Sequence, residues 1–189
     1  MSRGFESHTL RRIMSTATRL RLVELADAAE LAAIVTASAD HLRPFEPTRP
    51  AAYFTEAGQR TIIGGLLAAA QTGGSVPFVI VGADDELLGR ITLSGVTRGA
   101  LQSCALGYWI RADRTREGHA TRAVGWAVRH AFEELRLHRV QAETLPENTA
   151  SQRALERNGF TRYGLAPQYL EIAGAWRDHV MFQLLAPGD

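Results

Sequence analysis

Cysteine is nearly absent: Cys104 is the only one among 189 residues. No intramolecular disulfide can form, so the fold must rest on a packed core, which a chain of this length can supply. The same scarcity suits a reducing, cytoplasmic setting. Net charge is scarce too. The 21 basic and 20 acidic residues leave +1, so bulk electrostatics give no attraction for nucleic acid, and no direct nucleic-acid binding is expected. Long apolar runs are missing. "IIGGLLAAA" at 62–70 falls well short of the ~20 residues a span requires and sits inside an amphipathic pattern, so no membrane partner is expected. The beginning, "MSRGFESHTLRRI", lacks the apolar core of a secretory signal. The six histidines are scattered with no pair at ligand spacing, so no metal site is predicted. There is no internal repeat, low-complexity segment or second domain.

Residues 1–13 carry neither helical nor strand periodicity, and Met14 follows them. The expectation is that translation starts at Met14, that 1–13 are a spurious or unstructured extension, and that 14–189 form one domain.

What is present is a regular succession of elements. "TRLRLVEL" at 18–25 alternates as a strand does. Asp27 is placed to cap a helix bearing Leu31, Ile34 and Val35. "HLRPFEPTRP" at 41–50 holds three prolines and reads as a loop. A second helix runs from Thr55-Glu56 to the Gly73-Gly74 stop. Strands follow at 76–82, 87–96 and 102–110, the first two joined by a turn at Asp84-Asp85. From Gly118 a strong amphipathic helix sets Ala123, Val124, Ala127, Val128 and Ala131 on one face, with Arg122 and Arg129 on the other. "RVQAETL" at 139–145 is a strand, and "NTASQRALERNGF" is a short helix capped by Asn148 and ended by Gly159. "TRYGLAPQYLEIAG" and "AWRDHVMFQLL" are the last strands. The order β-α-α-β-β-β-α-β-α-β-β predicts an α+β domain with a mixed, mostly antiparallel twisted sheet flanked by helices and one parallel crossover.

The crossover helix opens in "REGHATRA", 116–123. A helix start offers unpaired N–H groups and the positive end of the dipole, which a phosphate can use. Gly118 and Ala120 are small enough for close approach, and Thr121 adds a hydroxyl. The same features suit an ordinary helix start capped by Asp113 or Thr115. The dinucleotide and triphosphate glycine signatures are absent.

"YWI…RTREGHAT" followed by "PENTASQRALERNGF" resembles the GNAT superfamily of acetyl-CoA-dependent N-acetyltransferases. The family's Q/R-x-x-G-x-G/A motif falls on Thr115, Gly118 and Ala120, with Thr115 departing from it. "HLRPFEP" and the tail "YLEIAGAWRDHVMFQLL" resemble the RimJ/RimL-like branch, which acetylates ribosomal-protein N-termini. The resemblance runs from about Arg19 to Leu185.

That resemblance implies a GNAT-type sheet whose central strand pair splays apart. It implies acetyl-CoA as acetyl donor and no metal. The amides of Arg116, Glu117, Gly118, His119, Ala120 and Thr121 would hold its pyrophosphate. The strand end at Trp109-Ile110 and Asn148 would hold its pantetheine arm, and Asn148 also reads as a plain cap. The family's proton-donating tyrosine falls on Leu155, so Ser151 takes that role as catalytic residue. Glu143 is the candidate base, with Glu46 and Glu171 as alternatives, and Phe45, Glu46 and Glu171 are expected on the substrate side. His119 is expected to be an exposed helix-start residue, Cys104 a core residue, and Arg177-Asp178 an ion pair on a strand edge. The implied acceptor is a protein N-terminal α-amine, whose pKa of ~7.7–8.0 requires less help than lysine at ~10.4. A small amine such as an aminoglycoside or polyamine, or a non-catalytic acyl-CoA sensor, are the alternatives. A monomer or homodimer is expected.

Overall fold

A computed structural model of the chain describes residues 18–188. The expectations about residues 1–13 and Met14 lie outside them. The elements are β1 (Arg19–Leu22), α1 (Ala28–Ala37), α2 (Ala39–Leu42), α3 (Glu56–Gln71), β2 (Ser75–Val81), β3 (Leu87–Thr97), β4 (Ser103–Ile110), α4 (His119–Arg129), β5 (Arg139–Thr144), α5 (Thr149–Glu156), β6 (Thr161–Ile172) and β7 (Ala175–Leu185). The strands form one seven-stranded sheet in the order β1-β2-β3-β4-β5-β7-β6. Every neighbouring pair is antiparallel except β4 and β5, which are joined through the crossover helix α4.

Strand alternation divides the core in two. One face of the sheet presents Leu88, Ile91, Cys104, Leu106, Val140 and Phe182 to Val124, Ala127 and Leu155 of α4 and α5. The other presents Val79, Val81 and Leu87 to Leu31 and Ile34 of α1 and Ile63 of α3, with Trp109 packed alongside. The run "VPFVIV" is buried because β2 lies inside the sheet under both layers, the position that favours continuous apolar sequence. Cys104 is a free thiol within the first layer, and burial pushes its pKa up to about 12.

Several local expectations are corrected. Asp27 does not cap α1 with its side chain. Its carboxylate turns back to accept from the Glu24 amide at 2.8 Å and from both Arg21 terminal nitrogens at 2.9 and 2.7 Å. The 41–50 stretch is not all loop, since α2 and a 3-10 turn at Arg43–Phe45 occupy its first half. Pro44 fits there because the first residues of a helical turn need no N–H. Pro167 is accommodated because β6 is an edge strand whose register with β7 breaks between Ala166 and Leu170.

α5 ends as its sequence dictates. The Phe160 and Gly159 amides close on the Leu155 and Glu156 carbonyls at 3.2 and 2.9 Å, with Gly159 at φ 86°, a left-handed stop that favours glycine. Asn158 just before it donates to Thr121 O at 3.0 Å and to Ala154 O at 2.8 Å. It thereby fastens the end of α5 to the first turn of α4.

Candidate functional site

β4 and β5 pair only through Ser103–Arg139, Cys104–Val140 and Ala105–Gln141. β4 continues to Ile110 and β5 to Thr144, so beyond Ala105 the two strands diverge. β4 is still paired with β3 as far as Ile110. The edge of β4 that faces β5 is therefore open along Leu106–Ile110, including Trp109 and Ile110. An extended group can hydrogen-bond there as an added strand does.

The helix start lies beside this gap. Gly118 is the N-cap of α4 with φ 81°, a conformation that side chains disfavour. The first intrahelical bond is Arg122 N to Gly118 O at 3.1 Å. The amides of His119, Ala120 and Thr121 precede it and have no carbonyl within the helix to meet. A Cβ on Gly118 would fall 2.9 Å from Arg122 Nη1. The cap is thus Gly118, with no side-chain cap from Asp113 or Thr115.

The charged side chains here build the turn. Arg122 does not stand on the outer face but folds back, donating to Glu117 O at 2.8 Å and to Thr18 Oγ1 at 2.9 Å. His119 is corrected from exposed to 2% exposed. Its Nδ1 lies 2.8 Å from Thr18 Oγ1 and its Nε2 3.1 Å from Glu117 Oε2. Arg122 Nη2, a donor, also lies 3.3 Å from Nδ1, so Nδ1 is the accepting nitrogen, taking the threonine hydroxyl proton, and Nε2–H donates to the carboxylate. Glu117 is held below the usual carboxylate range by His119 first and by Arg114. Arg116 is exposed at φ 66°. The turn leaves the backbone N–H groups of the first helical residues without a carbonyl within the helix.

Across the gap, Asn148 caps α5 by accepting from Ser151 N at 3.2 Å. Ser151 sits at N3, as expected, and its Oγ is 2.9 Å from the Tyr108 hydroxyl. Tyr108 is the functional candidate that sequence reasoning missed. Burial first of all, opposed by the Ser151 hydrogen bond, pushes its pKa up to about 12, so it stays a neutral phenol. The signal was available in alternation. Cys104, Leu106 and Ile110 set the even residues of β4 on an apolar face, and a tyrosine there must find its hydroxyl a partner. Leu155 is fully buried in that layer and offers no proton.

Glu143 lies on the opposite face. The register carries Ala105, Gly107 and Trp109 to the side of Gln141 and Glu143. Burial raises the Glu143 pKa, and its charge in turn raises that of Tyr169. The splayed strands therefore separate a hydroxyl pair, Tyr108–Ser151, from a half-buried carboxylate.

The expected substrate residues are only partly assembled. Glu46 pairs with Arg49 at 3.2 Å, and its carbonyl accepts from Ala173 N in the β6–β7 turn at 3.0 Å. Glu46 thus lines a cavity of about 370 Å³ with Arg49 and Tyr53. Phe45 and Glu171 are solvent-facing. The Arg177–Asp178 pair is corrected. Adjacent strand residues point to opposite faces; Arg177 meets Glu147, and Asp178 accepts from Gln168 N at 2.9 Å. No described helix is long and apolar enough to cross a membrane. Among the described residues no cluster of three His, Cys, Asp or Glu is placed to hold a metal.

The acetyltransferase (GNAT) domain family matches residues 18–161. The chain is 34% identical over 171 residues to a probable N-acetyltransferase, YjcK, of Bacillus subtilis strain 168, covering 90% of this chain and 94% of that one. It is 32% identical over 187 residues to the ribosomal protein uS5-alanine N-acetyltransferase of Escherichia coli K12, covering 97% and 96%. Among solved structures, Mycobacterium smegmatis RimJ in complex with CoA-disulfide superposes with a TM-score of 0.87 at 39% identity, covering 91% of this chain and 85% of that one. The sheet with its single parallel pair, the glycine-capped crossover helix and these likenesses agree, and the chain belongs to the GNAT N-acetyltransferase family, in its RimJ/RimL-like branch.

Proposed function

We propose that this protein transfers an acetyl group from acetyl-CoA to the N-terminal α-amine of a protein, a ribosomal protein being the acceptor class that its relatives suggest. One observation carries the reading: the gap between β4 and β5 joins an anion-competent helix start, a hydroxyl pair and a carboxylate on opposite faces.

The residues fit the donor. The amides from Gly118 to Thr121 take the pyrophosphate, and small Gly118 and Ala120 let it approach. The open edge of β4 at Trp109-Ile110 takes the amide-rich arm, with Asn148 beside it. When bound, the donor supplies an acetyl thioester.

The remaining work falls to the chain. Glu143 accepts a proton from the incoming ammonium, and its raised pKa brings it nearer to a useful base. An α-amine, roughly a tenth free base at neutral pH, needs only that modest help. Ser151 passes a proton from its Oγ to the departing sulfur and regains one from the newly acylated nitrogen, while Tyr108, a neutral phenol 2.9 Å away, orients that hydroxyl. The acceptor approaches from the α1–α3 face, where Glu46 and Phe45 lie.

The test is acetylation of peptides bearing ribosomal-protein N-termini, set against small amines, by mass spectrometry. The chain contains no lysine, so self-labelling is confined to its own N-terminus. Acetylation confined to small amines overturns the acceptor assignment. Binding of acetyl-CoA with no turnover overturns the enzymatic one.

A further inference from the structure

Five buried side-chain polar atoms lack a hydrogen-bond partner among the described residues, and three of them fall together: Tyr53 Oη, Arg90 Nη1 and Trp109 Nε1. Arg90 of β3 is the direct register partner of Trp109 of β4, so their side chains share the α1–α3 face. Tyr53, 5% exposed, is close enough for the Arg90 charge to act on its phenol. Arg49 stacks on the Tyr53 ring at 4.5 Å and pairs with Glu46. Tyr53, Arg49 and Glu46 line the 370 Å³ cavity.

The chemistry of this group is one-sided. A guanidinium, an indole N–H and a phenol O–H are all donors, and only the phenol can also accept. Two guanidinium charges face one carboxylate, already engaged by Arg49. Leaving buried donors unmade is costly, and an unpaired buried cation more so. An acceptor-only anion is the partner that suits such a donor-rich group. Burial pushes the Arg90 pKa down, in the sense of a cation short of such a counter-charge.

The placement tells where this anion would come from. Glu143 and Arg90 are two strand spacings and about two residues apart in the sheet, at least about 12 Å given that β4 and β5 part beyond Gln141, which four extended residues span. We infer that the Arg90–Tyr53–Trp109 cluster is an acceptor subsite that takes an acidic side chain within the first four residues of the protein N-terminus being acetylated. The inference rests on the protein N-terminal reading above and sharpens it to a sequence preference.

The test uses the intact enzyme and matched peptides that begin with alanine and carry Asp or Glu, or the isosteric Asn or Gln, at positions two to four. Binding is measured by calorimetry with CoA present, and turnover with acetyl-CoA. The acidic peptides are expected to bind and react about tenfold better or more. In Arg90→Met and Tyr53→Phe that preference collapses while the KM for acetyl-CoA holds; Arg90→Lys retains part of it. Acid-selective binding without acetylation keeps the subsite and removes the enzymatic reading. Equal behaviour of acidic and amide peptides in the wild type, or no binding of either, overturns the subsite whatever the variants do.

Discussion

The Tyr108 hydroxyl on β4 lies 2.9 Å from Ser151 Oγ in the first turn of α5, at the mouth of the gap where β4 and β5 part. The residues are 43 apart in sequence, and only the crossover brings them together. Ser151→Ala should lower kcat by about a hundredfold with little change in the KM for acetyl-CoA. Tyr108→Phe should lower it by about tenfold. If the two act in series, the double variant should be no worse than Ser151→Ala alone. Steady-state kinetics on all three decide it; additive losses separate the two hydroxyls.

Gly118→Val places a branched side chain at φ 81° and its Cβ against Arg122. Acetyl-CoA affinity by calorimetry should fall tenfold or more, with far-UV circular dichroism retained. Undiminished affinity would remove the helix start from the binding site.

Glu143 gives a signed pH dependence. Burial raises its folded pKa above the unfolded one. As a base it must be ionised, so kcat/KM should rise with pH through that raised value, and Glu143→Gln should lose this limb. Stability runs the other way. The protonated group's contribution is complete below the unfolded pKa of ~4.3 and is lost as pH rises through the folded one. Glu143→Gln should therefore raise Tm near neutral pH and leave it nearly unchanged near pH 4.

Asp27 gives the opposite sign. Burial alone would raise its pKa, but the Arg21 hydrogen bond, the Glu24 amide and the Arg21 charge together bring it below the ordinary value. The stability it contributes is present above the unfolded pKa and is lost as pH falls through the folded one. Asp27→Asn should cost on the order of 2 kcal/mol at neutral pH, or ~4–8 °C in Tm. The deficit should shrink in acid. Thermal melts at three pH values test this.

The architecture was legible because its signals are local. The alternation in "TRLRL", the turn at Asp84-Asp85 and the Gly159 stop each fix an element without help from the rest of the chain. The glycine-capped helix start was legible for the same reason. Side-chain fates set by distant partners were not. His119 looked exposed because its partner Thr18 lies 101 residues away, and Arg122 looked outward because nothing local reveals that it bends over Gly118. The Arg177–Asp178 pair failed on a local rule that was available, since neighbours in a strand cannot face one another. Tyr53 and Arg90 carry no motif and Trp109 reads only for its place on the donor side, so only the β3–β4 register and the packing of the 41–54 segment gather them.

The parting of β4 from β5 after three pairs has a consequence for solubility. A sheet that stops short normally shows its raw edge at its rim, where another molecule can add a strand and begin an aggregate. Here two raw edges face each other in the interior of the sheet, hinged at Ala105 and Gln141. A foreign strand that entered would be walled in by its own host on both sides and could recruit nothing further. At this gap the protein thus keeps backbone hydrogen-bonding capacity in reserve for one guest of limited length, and adds no template for growth beyond the rim strands β1 and β6.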